Sequence, residues 1–224
     1  MESKQAGEQI AETSNGTGEI YTIDAVRKLF STHNPLIDPS ERSSRRAAVA
    51  MILREGAAGA LETLFIQRAE HPQDPWSGHM AFPGGREDEI DESLEAVARR
   101  ETLEEVGIEL LPEMRIGRLD DIAGGRLRPF DLSVSPFVFF YPEPPELKLN
   151  HETADAIWVP LGYLGERANI KPYYYPPDPQ RRAFPSFQYD GRYTIWGMTF
   201  RMLGSFMELF GVDLPKEPVS RDAE

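Results

Sequence analysis

The stretch that decides the fold is "GGREDEIDESLEAVARRETLEEVGIEL", residues 84–110. Within it, Leu94 and Val97 begin an apolar pattern of helical spacing, which predicts an amphipathic helix over roughly residues 91–106. Gly107 is expected to end this helix, because glycine readily adopts the left-handed conformation common at helix C-termini. The second half of the helix is rich in acidic residues, and their position around the helix axis indicates what they do.

The simplest interpretation of the charges is a solvated helix face held by ion pairs. Glu95 and Arg99 are four residues apart, and so are Arg100 and Glu104. Such pairs contribute a few tenths of a kcal/mol each to helix stability. Charge-rich helix faces are common, so this interpretation leaves the helix without a chemical role.

The helical rotation favours a second interpretation, in which two of the acids point inward. At about 100° per residue, Glu101 and Glu105 lie within about 20° of the direction of Leu94. Glu104 lies at the edge of the same stripe. Partly buried carboxylates repel one another and lose solvation unless a cation lies between them. Carboxylate oxygens suit Mg²⁺ or Mn²⁺, so the sequence predicts a divalent metal site on this helix.

The residues before the helix favour a role in phosphate binding. "FPGG", residues 82–85, is not expected to be helical, because Pro83 fixes one backbone angle and the two glycines favour other conformations. Glycines also let the backbone approach a ligand closely. A glycine loop that leads into an acidic helix can hold a metal ion beside a pyrophosphate. The loop alone is a common turn, but together with glutamates at fixed spacing it becomes a specific pattern.

These residues resemble the Nudix box, whose pattern is Gly-x5-Glu-x7-Arg-Glu-aliphatic-x-Glu-Glu-x-Gly-aliphatic. The residues that match it are Gly85, Glu92, Arg100, Glu101, Glu104, Glu105, Gly107 and Ile108. Six residues rather than five separate Gly85 from Glu92, so either Asp91 or Glu92 can take the position of the first glutamate. Thr102 stands where the pattern has an aliphatic residue, which we expect to affect packing only.

The resemblance implies a Nudix-type α/β/α sandwich that hydrolyses a nucleoside diphosphate linked to another moiety, with Mg²⁺ or Mn²⁺ as cofactor. The implied metal ligands are Glu101, Glu104 and Glu105, with Glu105 as the first choice. The implied catalytic residues are Glu101, Glu104, Glu152 and Arg100, which would orient the glutamates. The expected substrate-binding residues are Arg46, Arg68, Gly84 and Gly85, and the expected structural residues are Glu92 and Gly107.

The general base is left open by the resemblance. One of the helix glutamates can deprotonate the attacking water, or an acid from a distal segment can do so. "NHETADAIWVPL", residues 150–161, resembles the family's acidic segment before a strand that ends in Trp-Val-Pro-Leu, and Glu152 is the acid it favours. Asp155 is the weaker candidate, because it also fits the polar face of that strand.

Two further segments resemble the coenzyme A pyrophosphatase branch of the family. They are "LFIQRAEHPQDPWSGHMAFPGGR", residues 64–86, and "YTIWGMTFRML", residues 193–203. Asp74 stands where that branch has an arginine linked with CoA recognition, which reverses the charge. The resemblance implies CoA or a CoA-like molecule as the first substrate to test, with ADP-ribose, dinucleotides and nucleotide sugars as alternatives. A nucleotide-binding module without catalysis is the alternative from a different class.

The remainder of the chain predicts a single α/β (α+β) domain with a mixed β-sheet over residues 21–215. Flexible tails are predicted at residues 1–20 and 216–224. Strands are predicted over residues 45–53, 61–68, 115–122, 133–141 and 156–160, a hairpin over 187–197 and a last helix over 198–211. The Pro- and Tyr-rich segment that includes residues 173–185 is predicted to be a lid or a binding loop.

Aromatic and histidine residues outside the box have less specific assignments. Trp76 and the three tyrosines at residues 173–175 can stack on a base, although aromatic residues in Pro-rich loops often only pack the loop down. Trp158 and Trp196 are assigned to the core. His79 is expected to be a hydrogen-bonding loop histidine rather than a catalytic base.

Composition argues against several classes of function. The net charge of −13 over 224 residues disfavours general binding to nucleic acid or anionic membrane, which needs clustered Lys and Arg. The absence of cysteine removes disulfides, thiol catalysis and Cys-based zinc sites. The sequence shows no signal-peptide pattern and no membrane-spanning run, so a cytoplasmic protein with a small-molecule nucleotide substrate is expected. The oligomeric state stays open, with a homodimer as one arrangement.

Overall fold

The computed structural model describes residues 20–38, 45–56, 59–71, 76–123, 132–176, 178 and 180–216. Among them, one mixed sheet contains β1 (Arg46–Glu55), β2 (Leu61–Arg68), β3 (Met80–Ala81), β4 (Gly84–Arg86), β5 (Arg115–Arg118), β6 (Ile122–Ala123), β7 (Ser133–Phe140) and β8 (Thr153–Pro160). β1 is the central strand, antiparallel to β2 and β4 and parallel to β7. Its residues from Ala47 to Leu53 are all buried, because both faces of the strand are covered.

A second, antiparallel sheet contains β9 (Ile170–Tyr174), β10 (Ala183–Tyr189) and β11 (Tyr193–Trp196). The prediction of a loop over the Pro- and Tyr-rich segment therefore needs correction, because both ends of residues 173–185 belong to paired strands. The high proline content concealed the strand pattern. Pro172 lies opposite Pro185, so the two residues without an N–H share one position of the ladder, where no hydrogen bond is required.

In the described residues, the α-helices are α1 (Ile23–Phe30), α2 (Leu94–Val106), α3 (Leu161–Gly165) and α4 (Gly197–Leu209). α2 begins at Leu94 rather than at residue 91, because the Ser93 hydroxyl caps it and accepts a hydrogen bond of 3.2 Å from the Ala96 amide. Gly107 ends α2 as predicted, with a left-handed φ of 72°. The motif helix is thus bounded by its own sequence at both ends.

Helices cover both faces of the main sheet. α2 packs on one face, where Val97 and Ala98 join Ala50 and Ile52 in one hydrophobic core. On the other face, α1, α4 and the second sheet enclose a larger core that includes Met51. Alternate residues of β1 face the two cores, as the two-residue period of a strand requires. The fold is of the predicted α/β (α+β) class, with a mixed sheet between helices.

Three further expectations concern the outer parts of the chain. The strand predicted over residues 115–122 is divided into β5 and β6. The predicted tails lie outside the described residues, apart from Ile20 and Lys216. Within the part of the chain that the structure describes, no helix combines the length and the apolar character that a bilayer crossing requires.

Candidate active site

The segment before α2 brings two glycines against the helix. Gly84 and Gly85 begin β4 and pair with Val49 and Ala48 of β1. The amide N–H of Gly84 donates a hydrogen bond of 2.9 Å to Oε2 of Glu105. A carboxylate of the motif helix is therefore bound directly to the backbone of the glycine pair.

Neither glycine leaves room for a side chain. A Cβ on Gly85 would lie 2.3 Å from Oε1 of Glu101, so the Glu101 carboxyl group lies over the Gly85 backbone. A Cβ on Gly84 would lie 2.3 Å from the Ala48 carbonyl oxygen, and Gly84 has a φ of 153° that residues with a Cβ rarely adopt. The glycine pair thus allows β4 to lie against β1 and against the acids of α2 at once.

Glu105 and Glu101 lie on the inward side of α2, as the helical rotation predicts. Glu105 is 3% exposed. Burial raises its pKa to about 8; the Gly84 amide opposes the rise and the charge of Glu101 adds to it. Burial also raises the pKa of Glu101, which the Arg100 guanidinium opposes. Two neighbouring carboxyl groups that resist ionisation are stabilised as anions when a cation joins them.

Glu104 differs from these two glutamates in its exposure. Its side chain is 53% exposed, and its Oε2 lies 3.5 Å from Nη1 of Arg100. This agrees with its position at the edge of the inward stripe. Glu104 therefore lies on the solvent side of the pair that Glu101 and Glu105 form, whereas those two side chains face the sheet.

Arg100 connects the start of the motif with the glutamates. Its Nε and Nη2 donate to the two carboxylate oxygens of Asp91 at 3.0 and 2.9 Å, and its Nη1 donates to Oε1 of Glu101 at 2.8 Å. Hydrogen bonding from Arg100 holds the pKa of Asp91 below its usual range. Of the two candidates for the first glutamate position of the motif, Asp91 is therefore the one that contacts Arg100. Glu92, for which a structural role is predicted, is exposed.

Arg68 and Glu152 bring further charges to the same glutamates. After burial, the charges that act on the pKa of Glu105 include Arg68, which lowers it, and Glu152, which raises it. The Ala69 amide donates a hydrogen bond of 2.8 Å to the Glu152 carbonyl oxygen, which holds the segment before β8 against the end of β2. The Glu152 side chain is 62% exposed, so its carboxylate is accessible to a substrate.

Asp155, the other candidate for the general base, is engaged in a structural contact. The Tyr193 hydroxyl donates a hydrogen bond of 2.5 Å to Oδ2 of Asp155, and the Ala156 amide donates to Oδ1 at 2.8 Å. Burial raises the pKa of Tyr193 to about 12, with the hydrogen bond to Asp155 adding to the rise. Asp155 therefore ties the main sheet to the second sheet, and Glu152 is the more accessible of the two acids.

The predicted substrate-binding arginines have different surroundings. Arg68 lies at an irregularity at the end of β2, and its charge acts on Glu105. Arg46 lies at the start of β1, where its Nε is 3.4 Å from Oε2 of Glu87. The structure thus brings Arg68 to the glutamates and gives Arg46 an acidic neighbour after β4. Asp74 lies outside the described residues.

The two tryptophans assigned to the core are only partly buried. Trp158 packs at the edge of the core under α2. Trp196 lies at the end of β11 and contacts the rings of His79, Tyr173 and Tyr175. In the sequence, a tryptophan at the edge of a core and a tryptophan beside a functional site have the same pattern of neighbours. The register of the second sheet was needed to place Trp196 beside these rings.

The donor set fits a hard divalent cation, but its side chains do not form a ready cage. Among the described residues, no group of three or more His, Cys, Asp or Glu side chains is arranged to hold a metal ion. The contacts explain why, since Arg100 holds Glu101 and lies near Glu104. The fit is supported by the two inward carboxyl groups, Glu101 and Glu105, whose pKa values burial raises. Glu101 could bind a cation through Oε2, because its Oε1 accepts the hydrogen bond from Arg100.

Comparison with known proteins agrees with the motif. Residues 44–179 match the NUDIX domain family model. The Nudix hydrolase NudL of Salmonella heidelberg, itself uncharacterised, is 30% identical over 199 residues, which cover 85% of this chain and 96% of that protein. The peroxisomal coenzyme A diphosphatase 1 of Saccharomyces cerevisiae is 40% identical over 81 residues, which cover 34% of this chain and 24% of that protein.

A solved structure shows the same fold. The MutT/nudix family protein from Enterococcus faecalis is 17% identical and has a TM-score of 0.51, with 90% of this chain and 73% of that chain covered. The chain spans 24% of the length of the Saccharomyces relative and 47% of the length of an uncharacterised relative from Schizosaccharomyces pombe. The similarity to these two proteins is therefore a similarity to one part of each.

Proposed function

The chain belongs to the Nudix hydrolase family, and we propose that it is a Mg²⁺- or Mn²⁺-dependent pyrophosphohydrolase. Its substrate would be a nucleoside diphosphate linked to another moiety, cleaved at the diphosphate. The observation that carries the proposal is the contact of two inward carboxyl groups, Glu101 and Glu105, with the Gly84-Gly85 backbone. The absence of a Cβ at both glycines lets these carboxyl groups lie directly against the main chain.

The glutamates of α2 would hold the cation. When bound, a divalent cation neutralises phosphoryl charge and makes a water molecule more acidic. Glu105 and Glu101 would be ligands from the sheet side, and Glu104 would be a ligand from the solvent side. Because the pKa of Glu105 is raised to about 8, its carboxyl group must release a proton to take this role near neutral pH.

Arg100 would set the direction of Glu101. Its guanidinium is held by Asp91 through two hydrogen bonds and holds Glu101 through a third. A planar group fixed on one side by a bidentate pair has little freedom on the other side. Arg100 and Asp91 would therefore position the ligand without touching the substrate.

Glu152 would accept the proton of the attacking water. Its carboxylate is exposed, and its charge acts on both Glu101 and Glu105, so it lies within electrostatic range of the proposed metal ligands. Arg68 would contact a phosphoryl oxygen, because its charge lies beside Glu105 and arginine matches phosphate geometry. Both assignments use residues that approach the glutamates from outside α2.

CoA or a CoA-like molecule is the first substrate we propose. Support comes from the resemblance of residues 64–86 and 193–203 to the CoA pyrophosphatase branch, and from the Saccharomyces relative, which is named a coenzyme A diphosphatase. ADP-ribose, dinucleotides and nucleotide sugars remain alternatives, because Asp74 reverses a charge linked with CoA recognition. A cytoplasmic location remains the prediction from the sequence, whereas the Saccharomyces protein is named as peroxisomal.

A product assay tests this function. The purified protein is incubated with CoA, ADP-ribose, NADH, diadenosine polyphosphates and UDP-sugars, each with Mg²⁺ or Mn²⁺, and the products are separated by chromatography. We expect metal-dependent cleavage within the diphosphate of at least one compound, with CoA first. A folded protein that cleaves none of them contradicts the proposal and favours the binding module.

Two matched variants connect the activity to the site. Glu105→Gln and Glu109→Gln each remove one negative charge, but Glu105 is buried against the glycine pair and Glu109 is exposed beyond α2. Loss of a metal ligand removes several kcal/mol of barrier lowering, which corresponds to a fall of about a thousandfold or more for Glu105→Gln. Glu109→Gln should retain normal turnover. Equal activity of the two variants would show that the glutamates form only a solvated face.

A further inference from the structure

An aromatic cluster lies at the end of the second sheet, beside the segment that leads to the glycine pair. Its members are Trp196, Tyr173, Tyr175, His79 and Phe184. The ring centroid of Trp196 lies 4.7 Å from that of Tyr173, 4.9 Å from that of Tyr175, 5.1 Å from that of His79 and 5.5 Å from that of Phe184. Trp196 is therefore the centre of the cluster.

The aromatic cluster differs from the core in the exposure of its rings, of which Phe184 alone is buried. Trp196 contacts four rings and is still partly exposed, as are Tyr175 and His79. In contrast, Phe65 and Phe187 in the core are 0% exposed. Rings that are gathered together and yet accessible present a flat apolar surface with polar edges.

Because side chains alternate between the two faces of a strand, Tyr174 lies on the face opposite to Tyr173 and Tyr175. Tyr173 and Tyr175 are two residues apart and both contact Trp196. Tyr174, which lies between them, belongs to the opposite face and is 41% exposed. The run of three tyrosines thus contributes two rings to the aromatic cluster and leaves one for comparison.

Arg68 links the aromatic cluster to the glutamates. Its amide donates a hydrogen bond of 3.1 Å to the His79 carbonyl oxygen, and its charge acts on Glu105. From His79 the chain continues through β3 to Gly84, and the five-residue path spans at most about 18 Å when fully extended. The cluster and the diphosphate position therefore lie at the two ends of one short segment, on the scale of a nucleotide.

We infer that the aromatic cluster is the surface on which the base of the nucleotide substrate stacks, with Tyr175 and Trp196 as the main contacts. This inference rests on the proposed function, which places the diphosphate at Glu101 and Glu105. A base is uncharged, so its binding is not opposed by the net charge of −13. Stacking of one base on aromatic side chains raises affinity by roughly 5- to 150-fold.

The test compares two probes that differ only in the base. Binding of adenosine 5′-monophosphate and of ribose 5-phosphate is measured by calorimetry for the full chain and for three variants. Tyr175→Leu removes a ring of the cluster, Tyr175→Phe keeps the ring, and Tyr174→Leu removes the neighbouring ring on the other face. Melting temperatures of all four proteins show whether each variant is folded.

The expected result is a preference of the wild type for adenosine 5′-monophosphate of roughly 5- to 150-fold. Tyr175→Leu should lower this ratio severalfold, because only the Trp196 ring remains as a main contact, and should leave the affinity for ribose 5-phosphate unchanged. Tyr175→Phe and Tyr174→Leu should keep the ratio. If Tyr175→Leu does not fold, Trp196→Phe takes its place, with a reduced ratio expected. A wild-type ratio of one, or an equal loss for both probes, would overturn the inference.

The two proposals can fail separately in this design. A retained preference for the base in a protein that hydrolyses nothing would remove the proposed function and leave the stacking surface. Hydrolysis of a nucleotide by a protein whose ratio is one would remove the stacking surface and leave the proposed function.

Discussion

Asp91 precedes the motif helix α2 and Glu105 lies in its last turn. Both side chains are nearly inaccessible to water, yet their pKa values are shifted in opposite directions. The Asp91 side chain is 4% exposed, and hydrogen bonding from Arg100 lowers its pKa. Glu105 is 3% exposed and accepts a hydrogen bond from a neutral amide, and burial raises its pKa to about 8. Burial alone therefore does not mark a functional carboxylate. A buried carboxylate that lacks a directly bound cation within the protein is the better indicator of function.

The two ends of the motif therefore have different roles, one structural and one in binding a cation. At the first end, Asp91 fixes Arg100 within the protein itself. At the second end, burial raises the pKa values of Glu101 and Glu105 more than their hydrogen-bond donors and neighbouring cations lower them. An external cation would supply the positive charge that is missing there.

Among substitutions outside the proposed ligands, the largest effect is expected from filling the space above the glycine pair. In Gly85→Ala the new Cβ would lie 2.3 Å from Oε1 of Glu101, so the carboxyl group must leave its position. Turnover of the best substrate should fall by about a hundredfold or more, because a ligand displaced by an ångström loses much of its effect. The measurement is turnover together with melting temperature.

Gly204→Ala is the matched control for this substitution. Gly204 lies inside α4, where a Cβ would meet nothing closer than Leu214 at 3.9 Å. Alanine also favours helix over glycine, so we expect normal turnover and a melting temperature that is unchanged or higher. If Gly85→Ala is folded and fully active, the glycine pair is not needed for the position of Glu101.

A smaller effect is expected at the compensated end of the motif. Asp91→Asn keeps the shape but removes the charge that faces Arg100, which should cost about 1–3 kcal/mol of unfolding free energy. Turnover should fall roughly tenfold through the looser hold on Glu101. Glu92→Gln, at the exposed neighbour, should change stability by less than about 0.5 kcal/mol.

Denaturant unfolding and turnover of both variants check this prediction. The opposite ranking, with Glu92→Gln more damaging than Asp91→Asn, would return the role of the first motif glutamate to Glu92.

Much of the site follows from the sequence because it depends on local periodicity. The helix rotation predicts that Glu101 and Glu105 point inward and that Glu104 lies at the edge, and the structure has this arrangement. The sequence predicts that Thr102 affects packing only, and Thr102 is buried, with its hydroxyl donating a hydrogen bond to the Ala98 carbonyl oxygen. Fixed spacing along one helix is enough to determine these positions.

Other parts could not be predicted because they depend on register between distant segments. The choice between Asp91 and Glu92 depends on how the loop before α2 meets Arg100, and both acids fit the spacing. The second sheet was concealed by its prolines, whose opposed positions become visible only when β9 pairs with β10. Without that pairing, nothing in the sequence places Trp196 beside Tyr173 and Tyr175.

The smallest effect concerns stability and pH in the metal-free protein. The pKa of Glu105 is raised from 4.5 to about 8, so between these values the folded protein keeps a proton that the unfolded chain has released. The contribution of Glu105 to the free energy of unfolding is therefore fully present at low pH and is lost as the pH rises through this window. The loss should be on the order of 1–2 kcal/mol, once partial rearrangement is allowed for.

Unfolding free energies of the wild type and Glu105→Gln, measured with a chelator across this window, check the sign. Glu105→Gln has no carboxyl group to ionise at this position. Its free energy of unfolding should therefore increase relative to that of the wild type as the pH rises. Parallel profiles would mean that Glu105 ionises in the folded protein as easily as in the unfolded chain.

The most direct test of the account is a calorimetric titration with Mn²⁺ near neutral pH, in two buffers of different ionisation enthalpy. The wild type should bind Mn²⁺ and release protons, because Glu105 with a pKa of about 8 must ionise to become a ligand. Glu105→Gln should bind at least about tenfold more weakly and lose this proton release, whereas Glu109→Gln should behave as the wild type. Equal affinity and equal proton release in Glu105→Gln and the wild type would contradict the account, because the buried carboxyl group would then play no part in holding the metal.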